Sequence, residues 1–135
     1  MTIFNENQIL ETINMIKLHN LDIRTVTLAL SLRDCISDDV DLVCEKIYNK
    51  IMKYAKNLYS YAVDIENDYS IPIINKRIAV TPISLIGESC KDYDYVKIAK
   101  TLDKAARDFN IDFIGGFSAL VEKGCTRGDV AFIAS

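Results

Sequence analysis

The residues of this chain that could do chemistry are concentrated in three short segments, RDC at 33–35, PIS at 82–84 and GGFS at 115–118. Each segment follows an apolar stretch of the sequence. Together they offer a guanidinium, a carboxylate, a thiol, hydroxyls and the backbone N–H groups of a glycine pair. If the three segments lie side by side, they could form one binding or catalytic site.

The first segment contains the candidate catalytic residues. A positive charge beside a cysteine favours the thiolate, so Arg33 could lower the pKa of Cys35 and make it a nucleophile, with Asp34 as the neighbouring carboxylate. The same residues also have a purely structural explanation. Asp34 could cap the turn, and Arg33 could pair with Asp38 at the surface. Cys35 and Asp34 are therefore predicted catalytic residues with a structural alternative.

The glycine pair suggests either a left-handed turn or the close approach of a ligand to the backbone, because glycine in a strand is costly. A short helix predicted at 118–123 would let backbone N–H groups face an anion, with Lys123 as a second charge. Ser84 and Ser118 could instead serve as helix caps. The chain contains no GxGxxG and no GxxxxGK[ST] motif. The candidate ligand-binding residues are Arg33, Ser84, Gly115, Gly116, Ser118 and Lys123.

Three predicted strands lead into these segments. Strict alternation of branched and small residues predicts a strand at 23–32, and shorter apolar stretches predict strands at 76–81 and 111–114. Both faces of the first strand are apolar or small. That composition is typical of a strand covered on both sides, as in parallel sheets.

Helices are predicted between the strands. Asn5 with Gln8 fits a capping box for a first helix that Asn20 would end. A second, long helix at about 39–67 would be capped by Ser37 or Asp38. A third is predicted at 93–109, and the residues from Gly128 begin another. This alternation predicts a single α/β domain, 1–135, of three parallel strands with helical crossovers, whose carboxyl ends would bring the three segments together.

Charge and composition exclude several classes of protein. The net charge is -3 and the basic residues form no stripe, which argues against a nucleic-acid-binding surface. No apolar run reaches the ~18 residues that a membrane span needs, and the N-terminus lacks the pattern of a signal peptide. Four cysteines without a CxxC pair and one histidine favour reduced thiols in a cytoplasmic protein over a zinc site.

Three stretches, SLRDC, INKRIAVTPISLIG and DFIGGFSALVEKG, resemble the uncharacterised protein family 0210, also called domain of unknown function 711 or the pyruvate formate-lyase-like family. The resemblance implies a fold like the ten-stranded α/β barrel of glycyl-radical enzymes, of which this chain would be the N-terminal third. It assigns no function, substrate or cofactor. The shared motifs include Cys35, Asn75, Lys76, Arg77, Pro82, Ser84, Gly115, Gly116, Ser118 and Lys123.

Two functions follow as hypotheses. The first is part of a small-molecule enzyme or anion-binding barrel of unknown reaction, and the second is a non-catalytic regulatory or interaction protein. Three parallel strands cannot close a barrel. We therefore expect the chain to form a homo-oligomer, most simply a dimer, or to associate with the rest of the barrel. The expected contact surfaces are the long helix at 39–67 and the segment after Gly128.

Overall fold

The computed structural model describes residues 5–19 and 21–135. Its three strands, β1 (Ile23–Leu30), β2 (Ile73–Val80) and β3 (Phe113–Gly115), form one sheet in the order β1-β2-β3. Both neighbouring pairs run parallel. The predicted α/β fold with three parallel strands is therefore confirmed, with strand ends that differ from the predicted ones by up to three residues.

Helices connect and flank these strands, and a single 3-10 turn covers Arg33–Cys35. The described helices are α1 (Glu6–His19), α2 (Val40–Ala55), α3 (Leu58–Tyr69), α4 (Ile83–Gly87), α5 (Tyr95–Asp108) and α6 (Arg127–Ala134). The short α4 was not predicted. It follows Pro82, whose fixed φ suits the start of a helix.

The first and last helices begin with reciprocal hydrogen bonds. At α1, the backbone N–H of Asn5 donates to Gln8 Oε1 (3.1 Å), and the N–H of Gln8 donates to Asn5 Oδ1 (2.9 Å). At α6, Thr126 and Asp129 form a second capping box. Both sequence predictions of a helix start are confirmed. The predicted end of α1 at Asn20 lies outside the described residues.

The cap of α2 differs from the predicted one by one residue. Asp39, rather than Ser37 or Asp38, accepts a hydrogen bond from the N–H of Asp41 (2.9 Å). Asp38 forms an ion pair with Lys91 (3.0 Å), not with Arg33. The predicted cap is therefore wrong by one residue, and the carboxylate of Asp38 contacts Lys91 instead.

The predicted long helix is two helices. The chain leaves helical geometry at Asn57 (φ -100°, ψ -1°), and the carbonyl of Asn57 then accepts hydrogen bonds from the N–H of Tyr61 and the hydroxyl of Ser60, both at 3.0 Å. Asparagine competes for backbone hydrogen bonds and is a weak helix former. The break lets α2 pack on α5 while α3 packs on β2.

The core lies on one side of the sheet. Leu30, Ile78 and Val80 point to this side and are at most 9% exposed. They pack with the apolar stripes of α2, α4 and α5. The stripe of α2, including Ile47 and Ile51, is buried here and offers no surface to a second subunit. The predicted contact through the rest of the 39–67 segment stays a prediction.

The other side of the sheet is left uncovered by the described helices that build the core. Apart from Ile73, which is buried at the start of β2, the residues that face it are exposed or half-buried, and none joins the core. We call this surface the open face, and it consists of Thr25, Thr27, Ala29, Asn75, Arg77, Ala79, Phe113 and Gly115. The expectation that both faces of the first strand are covered is therefore wrong for this chain. The described helices that build the core pack against one side only.

None of the helices described in residues 5–19 and 21–135 has the length and apolar character needed to cross a membrane.

Candidate functional site

The three predicted segments are neighbours, as their positions after parallel strands require. The backbone N–H of Leu32, after β1, donates to Thr81 Oγ1, after β2, at 3.0 Å. The N–H of Ile83 donates to Gly116 O (2.9 Å), and the N–H of Ser84 donates to Ser118 O (3.2 Å). Hydrogen bonds therefore join the second and third segments directly.

These bonds engage the backbones of Ser84, Gly116 and Ser118, three residues that the sequence had assigned to a ligand. The first N–H groups of a helix lack partners within the helix, and in α4 two of them bind the carbonyls after β3. Ser118 N–H donates back to Gly116 O at 2.8 Å. The predicted helix at 118–123 is absent, because its first residues bond to α4 and to Gly116. Lys123 lies exposed in a turn of this loop.

The two glycines have different roles. Gly116 has a φ of +120°, and a Cβ there would come within 2.4 Å of the carbonyl oxygen of Val80. Glycine at 116 is thus explained by the turn and by close packing of two backbones. A Cβ at Gly115 would instead lie 2.5 Å from Nη2 of Arg77. Gly115 therefore makes room for a guanidinium.

The surroundings of Cys35 oppose a thiolate. Its side chain is 2% exposed. Burial raises its pKa, and the negative charge of Asp34 raises it further, while Lys50 and Lys46 act in the opposite direction without prevailing. The pKa of Cys35 is therefore raised, not lowered as predicted, and the exposed Arg33 is not among the charges that dominate it.

Asp34 and Cys35 belong to a groove beside α2. Asp34 is exposed and forms an ion pair with Lys50, whose hydrogen bond lowers the pKa of the carboxyl group. The groove has a volume of about 350 Å³. Its other lining residues are Lys46, Asn49, Lys53 and Tyr54. This groove is distinct from the one that Gly115 lines on the open face.

Ser84 faces a buried polar cluster that the sequence did not reveal. Its carbonyl accepts a hydrogen bond from the hydroxyl of Tyr95 (3.2 Å). Asp129, 5% exposed, accepts hydrogen bonds from the N–H (3.0 Å) and hydroxyl (3.1 Å) of Thr126. The only sequence signal was the predicted helix start near Gly128. The cluster lies where α6 packs against α4, and the side chain of Ser84 is buried there.

The pKa values in this cluster follow from those contacts. The backbone hydrogen bond from Thr126 lowers the pKa of Asp129 against the effect of burial. The nearby Ser84 hydroxyl, buried without a hydrogen-bond partner among the described residues, lowers the pKa of Asp129 in the same direction. Burial, followed by the charge of Asp129, raises the pKa of Tyr95 to about 12. Tyr95 is therefore neutral and Asp129 ionised near pH 7.

The open face carries the remaining candidate, Arg77. This exposed arginine stands at the middle of the central strand, opposite Thr27 on β1 and Phe113 on β3. Within the described chain it has no carboxylate partner at ion-pair distance. Its groove has a volume of about 360 Å³ and is also lined by Thr25, Phe113, Ile114 and Gly115. Sequence reasoning placed Arg77 in a shared motif but gave it no role.

The alternation of residues along β2 indicates which side of the sheet Arg77 faces. Residues 78 and 80 are apolar, so 77 must face the other side of β2. Although the three segments are neighbours, their candidate residues lie in three different surroundings. Asp34 and Cys35 lie beside α2, Ser84 lies in the buried cluster, and Gly115 lies beneath Arg77.

Comparison with known proteins places the chain in a family. The family model described as "Uncharacterised ACR (DUF711)" matches residues 14–135. A UPF0210 protein of Methanococcoides burtonii is 57% identical over 133 residues, which are 98% of this chain and 29% of that protein. UPF0210 proteins of Clostridium perfringens and Limosilactobacillus reuteri are 58% and 57% identical, over 96% and 97% of this chain and 29% of their own lengths.

The chain thus spans less than a third of the length of these curated relatives. The resemblance seen in the three sequence motifs is confirmed, and this chain belongs to the DUF711 (UPF0210) family of uncharacterised proteins.

Proposed function

We propose that this chain binds a small anionic molecule and forms the N-terminal part of a larger α/β binding protein or enzyme. The observation that carries this proposal is Arg77, a guanidinium on the open face with no carboxylate partner in the described chain. A cation without a counter-ion, set in a groove beside the hydroxyl of Thr25, favours a bound anion.

The one-sided packing of the sheet supports the larger assembly. Unpaired strand edges and an uncovered sheet face are usually covered by another part of a protein. The relatives contain the additional length from which such a cover could come. In a barrel like the one that the sequence resemblance implies, the open face would line the interior, and a ligand at Arg77 would lie inside.

The predicted site residues take new roles in this proposal. Gly115 makes space for the anion-binding guanidinium, while Gly116, Ser84 and Ser118 hold the neighbouring loops. Cys35 and Asp34 stay candidate catalytic residues only if the larger protein reaches the groove beside α2. Arg33 and Lys123, both exposed, do not line the Arg77 groove and stay candidate ligands only for an anion bound at the loops that follow the strands.

Thermal shift tests the anion proposal. Small anions such as phosphate, sulfate, acetate and benzoate should raise the melting temperature of the chain, and Arg77→Met should abolish the rise. Arg24→Met is the matched control, because Arg24 lies on the same sheet but is paired with Asp22 (3.5 Å). Equal shifts in wild type and Arg77→Met with every one of these anions would contradict an Arg77 site.

A non-catalytic interaction protein is the second candidate, and exposed apolar residues on the outer helices favour it. Ile9, Leu10 and Ile13 of α1, and Val130 and Ile133 of α6, are all more than 40% exposed. Such patches mark interfaces. We propose that the isolated chain self-associates, most simply as a dimer; a monomer at micromolar concentration in sedimentation equilibrium would refute this.

A cytoplasmic location is part of the same proposal. The four cysteines are all free, and reduced thiols persist in the cytoplasm.

A further inference from the structure

The guanidinium of Arg77 lies over Gly115, which leaves space for it. No positive φ requires glycine at 115, in contrast to Gly116. Glycine within a strand normally destabilises it. A Cβ at 115 would lie 2.5 Å from Nη2, 3.2 Å from Nε and 3.3 Å from Cζ of Arg77. Glycine at 115 thus lets the planar guanidinium lie against the sheet instead of extending into solvent.

The groove around this guanidinium contains a single charge. Its other lining residues are Thr25, Phe113, Ile114 and Gly115, none of which is ionisable. Lys76, the nearest lysine in sequence, is used elsewhere: its Nζ donates to Ile73 O (3.3 Å) and lies 5.5 Å from the centre of the Tyr59 ring. One positive charge matches a monoanion better than a phosphate dianion.

The rest of the groove is suited to an apolar group. Phe113, directly opposite Arg77 in the register, is 56% exposed. Its ring forms one wall of the groove, and Thr25 offers a hydroxyl at another side, while the side chain of Ile114 packs toward the core on the covered side. The groove volume of about 360 Å³ falls in the range of small-molecule sites.

We infer that the Arg77 groove binds a small monocarboxylate that carries an apolar or aromatic group. The carboxylate would take two parallel hydrogen bonds from the guanidinium, the geometry in which arginine surpasses lysine. The apolar part would lie against Phe113. This inference rests on the proposed function, and it names the chemical class of the anion.

Chemical-shift titration of the ¹⁵N-labelled chain tests the inference. Benzoate is the probe, benzamide its uncharged analogue, and inorganic phosphate the competing anion. Benzoate should shift the amide signals of Thr25, Phe113 and Gly115, and benzamide should shift them far less. Arg77→Met should weaken benzoate binding by about tenfold or more, as expected for charge-assisted hydrogen bonds. Arg24→Met should bind as wild type does.

Two further variants test whether benzoate binding requires the guanidinium group itself or only its positive charge. Arg77→Lys keeps the charge and should lose most of the benzoate affinity, because an ammonium cannot make the paired bonds. Gly115→Ala should weaken binding by displacing the guanidinium. Well-dispersed spectra of the variants confirm that they are folded. If Arg77→Lys binds benzoate as tightly as wild type, a bidentate carboxylate is ruled out.

The outcomes distinguish this inference from the proposed function. If phosphate binds at these amides and benzoate does not, the monocarboxylate is wrong and the anion site stands. If benzoate and benzamide bind equally, the groove recognises only the apolar group, which overturns the carboxylate. If no anion shifts the open-face amides, the inference and the proposed anion site both fail.

Discussion

The covered side and the open face of the sheet are built from the same three strands, yet they differ in chemistry. On the covered side, Leu30, Ile78 and Val80 pack in the core with three helices. On the open face, Thr27 and Arg77 are exposed. Polar groups rarely line a surface that is to be filled with apolar side chains, because their burial is costly without partners. The comparison indicates that the covered side is used for packing, whereas the open face leaves polar and aromatic side chains available for contacts.

The strongest test of this difference removes matched side chains from the two sides. Ile78→Ala should lower the free energy of unfolding by about 2–5 kcal/mol, since it leaves a cavity in a packed core. Thr27→Ala, on the open face, should change it by less than about 0.5 kcal/mol. Urea unfolding measures both. Similar losses for the two variants would mean that both sides are packed in solution.

A second test concerns the end of β3, where the two sides meet. Gly116→Ala introduces a Cβ against Val80 O as well as a strained φ. Gly124→Ala is the control, because Gly124 also has a positive φ (+139°) but nothing within 4 Å of its Cβ position. Gly116→Ala should cost about 1–3 kcal/mol more, the usual cost of overpacking. Equal unfolding energies would show that the loop after β3 moves freely away from β2.

The buried cluster of the covered side should respond to acid. The folded-state pKa of Asp129 lies below its ordinary value of 3.8, so ionised Asp129 stabilises the folded chain. That contribution is complete above about pH 4 and is lost as the pH falls through the lowered pKa. Asp129→Asn should therefore reduce stability at pH 7, and the difference should shrink below pH 3.8.

Denaturant unfolding at several pH values measures this effect. Asp103→Asn, in an exposed pair with Arg107, is the control and should change little. A difference between wild type and Asp129→Asn that is constant from pH 7 to pH 3 would mean that the charge of Asp129 contributes nothing.

The last prediction is that one substitution leaves the reactivity of a cysteine unchanged. Arg33→Met should leave the alkylation rate of Cys35 unchanged, because burial and Asp34 set the pKa of that thiol. Cys125, exposed, should react first, with Cys35 and the buried Cys44 far slower. Mass spectrometry after timed labelling would resolve the three sites. Early labelling of Cys35, slowed by Arg33→Met, would restore the activated thiol.

The sequence predicted the order and parallel pairing of the strands well, because alternation and helical periodicity are local patterns. It missed the break at Asn57, since the apolar spacing of α2 continues through it into α3. It also placed a helix at 118–123, where hydrogen bonds to α4 prevail over local preference. Such long-range bonds cannot be read from neighbouring residues.

The candidate site could be predicted only in part, because long-range packing also decides which of its residues are exposed. Strand order alone brings the segments after Leu30, Val80 and Gly115 together, and the structure confirms that neighbourhood. Which side of β2 is covered depends on the packing of α2 and α5, and both sides of β1 are apolar or small. The sequence therefore could not predict that Arg77 lies on an exposed side of the sheet, although it lies in a recognised motif.

The register of β1 with β2 has a consequence for the synthesis of this protein. Ile23 pairs with Ile73 and Leu30 with Val80, so each partner lies 50 residues further along the chain. At ribosomal rates of about 5–20 residues per second, β1 waits on the order of seconds for its first neighbour. During that interval α2 and α3 can form, because helices need only local contacts. The nascent chain thus exposes an unpaired strand beside preformed helices, and this interval is when association with another chain or a chaperone has its best opportunity.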